Sequence, residues 1–160
     1  MKLNLGSGPV RVEGYISVDN REDAGPDLLA DAGNLHMVED NSIDAIYASH
    51  ILEHFPWDQD VLAEWHRVLI PGGELLICVP DFLAHYELFR AGAIEMKYFQ
   101  AIFYGAEEFG YPKEYQHKQV FTPSMLVDRM KPYFPDAQIQ WDSNIRVAYI
   151  GETMALGHKL

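Results

Sequence analysis

The chain has 160 residues, of which 48% are apolar and 22% charged, values that fit one domain with a core of its own. Twelve Lys plus Arg against twenty-four Asp plus Glu give a net charge of −12, a field that repels phosphate backbones and anionic membrane surfaces. No nucleic acid or membrane partner is therefore expected. The single cysteine, Cys78, excludes an intramolecular disulfide and a multi-cysteine zinc site, and its place in Leu75-Leu76-Ile77-Cys78-Val79 predicts a buried thiol. Nothing resembles a signal peptide and no apolar run is long enough for a membrane span, so a cytoplasmic protein is expected. No repeat, low-complexity tract or linker divides residues 1–160, which predicts a single unit.

In chain order, Lys2-Leu3-Asn4-Leu5 predicts a first strand, stopped by Gly6-Ser7-Gly8-Pro9. Tyr15-Ile16-Ser17-Val18 predicts a second, ending at Asp19-Asn20, and Leu28-Leu29-Ala30-Asp31 a short third. Asp44 to Ala48 follows a turn-like Glu39-Asp40-Asn41-Ser42 and predicts a fourth. Val61, Leu62, Trp65, Val68 and Leu69 share one face of a 3.6-residue period, which predicts a helix over about 58–69. Asp58 or Asp60 would cap it and Pro71-Gly72-Gly73 would end it. Glu74 to Val79, almost continuously apolar inside, predicts a central covered strand. Residues 82–104 carry helical patterning rich in aromatics, whereas Gly105 to Gln119 reads as irregular. A helix is expected from Pro123 to Met130, with Thr122 as its cap and proline at its first position. Ala137–Trp141 and Ile145–Ile150 predict a terminal hairpin around Asp142-Ser143-Asn144. The fold class is α/β, a Rossmann-like, mostly parallel sheet with an antiparallel edge.

Two glycines directly after the first strand, with an acid at the end of the second, are suited to a nucleoside: glycine lets backbone approach a ligand, and Asp19 can accept both ribose hydroxyls. Gly6 to Gly14 is too short for the usual helical crossover. It is not too short to connect, because nine extended residues reach about 30 Å and the return needs about 13 Å plus a sidestep of about 5 Å. What such a crossover lacks is the helix N-terminus that would face a pyrophosphate, so NAD and FAD fit poorly and a nucleoside without phosphates fits well.

The segments LNLGSG at 3–8, GYISVDN at 14–20, ADAGNLHM at 30–37, NSIDAIYASHILEHF at 41–55, EWHRVLIPGGELLICVPD at 64–81 and HKQVFTP at 117–123 together resemble the class I S-adenosylmethionine-dependent methyltransferases, in particular the small type 11 group. The resemblance implies that Gly6, Ser7 and Gly8 line the methionine portion of S-adenosylmethionine and that Asp19 holds its ribose. Asn20 would sit at the adenine edge, with Asp31 and Ala32 supplying further adenine contacts. Ser49 and His50 would lie where methyl donor meets acceptor. Two features depart from the family pattern. The first crossover helix is shortened or absent, and Val10 stands where a third glycine is usual. The missing helix suggests an apolar sheet face left bare, which a second copy of the chain could cover.

The function this implies is methyl transfer to a small polar acceptor such as a sugar. For a hydroxyl acceptor His50, His117 and Asp81 are the candidate bases, and residues 82–119, with their tyrosines, would form the acceptor wall and lid. One rival is a non-catalytic module that binds S-adenosylmethionine or S-adenosylhomocysteine, motivated by the short crossover. A third reading is a zinc hydrolase, because His50-Ile51-Leu52-Glu53-His54 matches H-x-x-E-H. That motif needs a long helix, which Pro56 forbids, and a third ligand that the sequence does not supply, so no metal ligand is assigned. Hydrogen bonds around the strand-to-helix turn are the expected role of Glu53 and His54.

Overall fold

A computed structural model describes residues 1–104, 116–142, 145 and 151–160. Seven strands form one sheet: β1 (Lys2–Leu5), β2 (Ile16–Asp19), β3 (Leu28–Leu29), β4 (Ile43–Ser49), β5 (Leu69–Pro80), β6 (Gln138–Gln140) and β7 (Glu152–His158). Their order is β3-β2-β1-β4-β5-β7-β6, parallel through β5 and antiparallel at β7 and β6. The helices are α1 (Val61–Val68), α2 (Phe82–Arg90), α3 (Met96–Tyr104) and α4 (Pro123–Met130). Among the described residues no helix is long and apolar enough to cross a membrane.

The main core lies on one face of the sheet. Leu3, Leu5, Ile46 and Ile77 meet Val61, Leu62, Trp65 and Val68 of α1 and Leu126 and Met130 of α4. α1 is the amphipathic helix its periodicity predicts, although Asp60 caps it by position only: its side chain makes no cap hydrogen bond and instead accepts from the Tyr133 hydroxyl. Thr122 does cap α4, its Oγ1 accepting from the Met125 amide at 3.3 Å ahead of Pro123. Thr122→Ala should therefore cost about 1 kcal/mol, read as a lower denaturation midpoint with an unchanged slope.

Several boundaries differ from expectation. Pro71-Gly72-Gly73 does not separate α1 from a strand, because β5 already begins at Leu69. The register slips between the Ile43–Leu69 and Ala45–Glu74 pairs, so the glycines form an irregularity inside the strand. Gly72 takes φ +79°, and a Cβ on Gly73 would lie 2.9 Å from the Ile70 carbonyl oxygen. The aromatic stretch 82–104 is two helices, divided at Gly92 with φ +71°. Most of residues 105–119, including Tyr111 and Tyr115, fall outside the described residues.

The terminal pair is antiparallel, but its second arm is β7, inserted between β5 and β6. Of the expected arm 145–150 only Ile145 is described, and it lies outside any strand. β7 lies beyond the expected arm and contains a glycine, Gly157. In the fold that glycine is needed, since a Cβ there would lie 2.7 Å from the Phe134 Cβ.

No helix occurs between β1 and β2, as the short spacing predicts, and the two strands still pair in parallel. The expected consequence does not follow. Tyr47, Leu76, Cys78 and Met154 on that face are buried, with Val12 and Tyr15 of the crossover packed against them. A loop replaces the helix as cover, which removes the bare face that motivated self-association.

Candidate functional site

The carboxyl ends of β1, β2 and β4 meet along one edge of the sheet, where ligands of open α/β folds bind. After β1, Gly6 and Gly8 both take positive φ, +61° and +50°. A Cβ on Gly6 would fall 2.7 Å from Ile51, so glycine is what lets the turns after β1 and β4 close on each other. Ser7 is buried, and its amide donates to the Val18 carbonyl at 3.0 Å. Asp19, only 7% exposed at the end of β2, accepts from the Gly8 amide at 2.7 Å through Oδ2 and from the Arg21 amide at 2.9 Å through Oδ1. The Arg21 guanidinium lies 3.4 Å from Oδ1. A carboxylate offers about four lone-pair positions, and two of these are taken by the amides, with the guanidinium beside a third. The glycine turn and this acid fit the nucleoside part of S-adenosylmethionine.

The next two positions serve the fold first. Asp31 is exposed, and its Oδ1 accepts from the Gly33 amide at 2.7 Å in a side-chain turn. Ala32 packs into the core while its carbonyl accepts from Trp65 Nε1 at 2.7 Å, which pins this loop to α1. Asn20 is exposed beside Asp19, and Ser49 is half-buried as the last residue of β4. Both stand at the carboxyl ends of their strands, β2 and β4.

His50 follows β4 with φ +53°, a left-handed conformation uncommon outside glycine. Its Nε2 lies 2.9 Å from Glu152 Oε1 and its Nδ1 3.3 Å from Glu53 Oε1. Burial opposes charge on the ring, but hydrogen bonds with Cys78 and Glu152 and the adjacent Glu53 carboxylate outweigh it, and the imidazole is pushed up to about 12. Cys78 is buried as expected, with Sγ 3.8 Å from Glu152 Oε2.

Glu53 and His54 lie in a 3-10 turn, Leu52–His54, preceded by a bend. His50 and His54 therefore do not stand one turn apart on a long helix, and the geometry of an H-x-x-E-H hydrolase is absent. Glu53 is 1% exposed. His117 Nε2 lies 4.0 Å from its Oε1, and the His117 and His54 rings meet edge-on at 4.7 Å. Burial pushes His117 down, opposed by the Glu53 charge and reinforced by His54 and His50. Asp81 is spent differently, because its Oδ1 accepts from the Leu83 and Ala84 amides and caps α2.

Of the three candidate bases, then, two converge on Glu53 and the third caps a helix. Sequence reasoning missed Glu152, which only the unforeseen β7 brings beside His50. It also gave Glu53 a merely local role, although the H-x-x-E-H spacing was the available signal. In the acceptor-wall stretch Phe82, Phe99 and Phe103 cluster edge to face, while Tyr86, Tyr98 and Tyr104 are exposed.

Residues 13–77 match the methyltransferase domain family. No curated protein matches the sequence. Solved structures share the fold over 99% of this chain. A SAM-dependent methyltransferase from Archaeoglobus fulgidus superposes with TM-score 0.67 at 16% identity, 85% of its own chain being covered. One from Methanosarcina mazei gives 0.64 at 18% identity and 92%. The Burkholderia thailandensis 1,6-didemethyltoxoflavin-N1-methyltransferase, solved with S-adenosylhomocysteine bound, gives 0.59 at 15% identity and 70%.

Proposed function

We propose that this chain, whose residues 13–77 match the methyltransferase domain family and whose fold SAM-dependent methyltransferases share, is a class I methyltransferase of the type 11 group that transfers a methyl group from S-adenosylmethionine to a small polar acceptor. The observation that carries the reading is the Gly6–Gly8 turn closed onto the buried Asp19 carboxylate at the ends of β1 and β2. S-adenosylmethionine, when bound, supplies a methyl group already activated on a sulfonium, so the protein's part is binding, orientation and exclusion of water. Gly6, Ser7 and Gly8 would border the methionine portion, Asp19 would accept from the ribose, and Asn20, Asp31 and Ala32 would border the adenine. The net charge of −12 favours a cationic cofactor over a phosphorylated one.

On the acceptor side, Ser49 and His50 close β4, and His50 and His117 meet the same carboxylate. The exposed tyrosines Tyr86, Tyr98 and Tyr104 suit a polar acceptor such as a sugar. Incubation with S-adenosylmethionine and a panel of small hydroxyl, amine and carboxylate acceptors tests the proposal. Acceptor-dependent formation of S-adenosylhomocysteine is expected. Tight binding of the cofactor with no transfer to any acceptor would favour the non-catalytic module, the reading that the absent first crossover helix supports.

A further inference from the structure

Below the proposed cofactor turn lies a group of side chains that cofactor binding does not use. Glu53 is 1% exposed, yet neither carboxylate oxygen accepts a hydrogen bond among the described residues. His50 Nδ1 approaches Oε1 at 3.3 Å, and Oε2 has no hydrogen-bond partner among the described residues. Among the described residues the Nδ1 atoms of His54 and His117 are likewise buried with no partner in hydrogen-bonding geometry, although the Ile102 backbone stands near enough to the His117 ring to favour its proton. Leaving such groups unmatched costs about 1–3 kcal/mol each, and more when the group is charged. One ligand atom from each of Glu53, His54 and His117 lies within 4.8 Å of the others.

We propose that Glu53, His54 and His117 form a binding site for a divalent first-row transition ion, with zinc the best match. A carboxylate with two imidazoles is a borderline donor set that suits zinc better than magnesium or calcium, which prefer oxygen alone. Zinc bonds of about 2.0–2.2 Å place neighbouring ligand atoms about 3.4 Å apart, so side-chain rotation must draw the group together by roughly an ångström. The Lys118 and Gln119 amides donate to the Glu53 carbonyl at 2.8 and 3.2 Å, and Gln119 Nε2 donates to the Phe55 carbonyl at 2.7 Å. These bonds lash the segment carrying His117 to the turn carrying Glu53 and His54.

Three protein ligands leave a coordination position open, as in catalytic rather than structural zinc sites. The site goes beyond the methyltransferase reading and does not depend on it. Beside it lies a second group, His50, Cys78 and Glu152, also within 4.8 Å. That group is less suited to an ion, because the His50 Nε2 there already lies in a 2.9 Å hydrogen bond with Glu152 Oε1.

The test is calorimetric titration of the chelator-stripped chain with zinc chloride, with circular dichroism verifying the fold. One zinc per chain is expected, with affinity at least tenfold weaker in His117→Ala and in Glu53→Gln and unchanged in Cys78→Ser. Cobalt(II) substitution of the unaltered chain is independent of whether any variant folds. Visible d–d bands without a thiolate charge-transfer band are expected. Absence of stoichiometric binding by the folded chain would overturn the proposal, as would a thiolate band or loss of zinc in Cys78→Ser alone. Titration of the same metal-free chain with S-adenosylhomocysteine separates a failed metal site from a failed cofactor site.

Discussion

Asp19→Ala is expected to weaken S-adenosylhomocysteine binding by about 1–3 kcal/mol, roughly five- to 150-fold. The carboxylate has two jobs that this change removes together. It holds the Gly8 and Arg21 amides, which shapes the turn after β1, and it would offer its remaining acceptor capacity to the ribose. Asp19→Asn separates them. An asparagine retains one carbonyl acceptor and presents an NH2 in place of the other, so one of the two amide contacts becomes donor against donor. Binding should fall in both variants, further in the alanine. Calorimetry on protein of verified fold makes the measurement. Equal affinity in wild type and Asp19→Ala would remove Asp19 from the ribose site.

Trp65→Ala carries the largest expected cost in stability, about 3–5 kcal/mol. The indole is fully buried between α1 and the sheet, and its Nε1 donates to the Ala32 carbonyl at 2.7 Å. Trp65→Phe keeps most of the apolar volume while leaving that carbonyl without its donor, which should cost about 1–3 kcal/mol. The loop held by this bond carries Asp31 and Ala32, so Trp65→Phe should also weaken the ligand modestly through a looser adenine side. Urea unfolding of both variants measures the cost. A phenylalanine variant as stable as wild type would show that the hydrogen bond contributes nothing net.

Periodicity and turn chemistry were enough to read β1, β2, β4, α1 and α4, because each is a short amphipathic or apolar segment bounded by its own stop signal. Thr122-Pro123 is the clearest case, a cap and first position that the structure reproduces. The Gly6–Gly8 turn and its contact with Asp19 were legible for the same reason, since glycine spacing and an acid at a strand end are local features. What stayed hidden was non-local. β7 contains a glycine whose value appears only against Phe134, and Glu152 reaches His50 only through that strand. His117 joins Glu53 and His54 across a long stretch of chain, so no spacing rule pairs it with H-x-x-E-H. The loop that covers the second sheet face has no periodicity to read, and its role follows from Val12 and Tyr15 packing on Tyr47 and Leu76.

The central claim is that the edge formed by Gly6, Ser7, Gly8 and Asp19 binds the nucleoside of S-adenosylmethionine. Calorimetric titration of the unaltered chain with S-adenosylhomocysteine, with NAD in parallel, tests it most directly. Micromolar binding of S-adenosylhomocysteine and none of NAD is the predicted result, because the chain presents a carboxylate for ribose and no crossover helix for a pyrophosphate. No binding of S-adenosylhomocysteine at millimolar concentration, or equal binding of NAD, would contradict it.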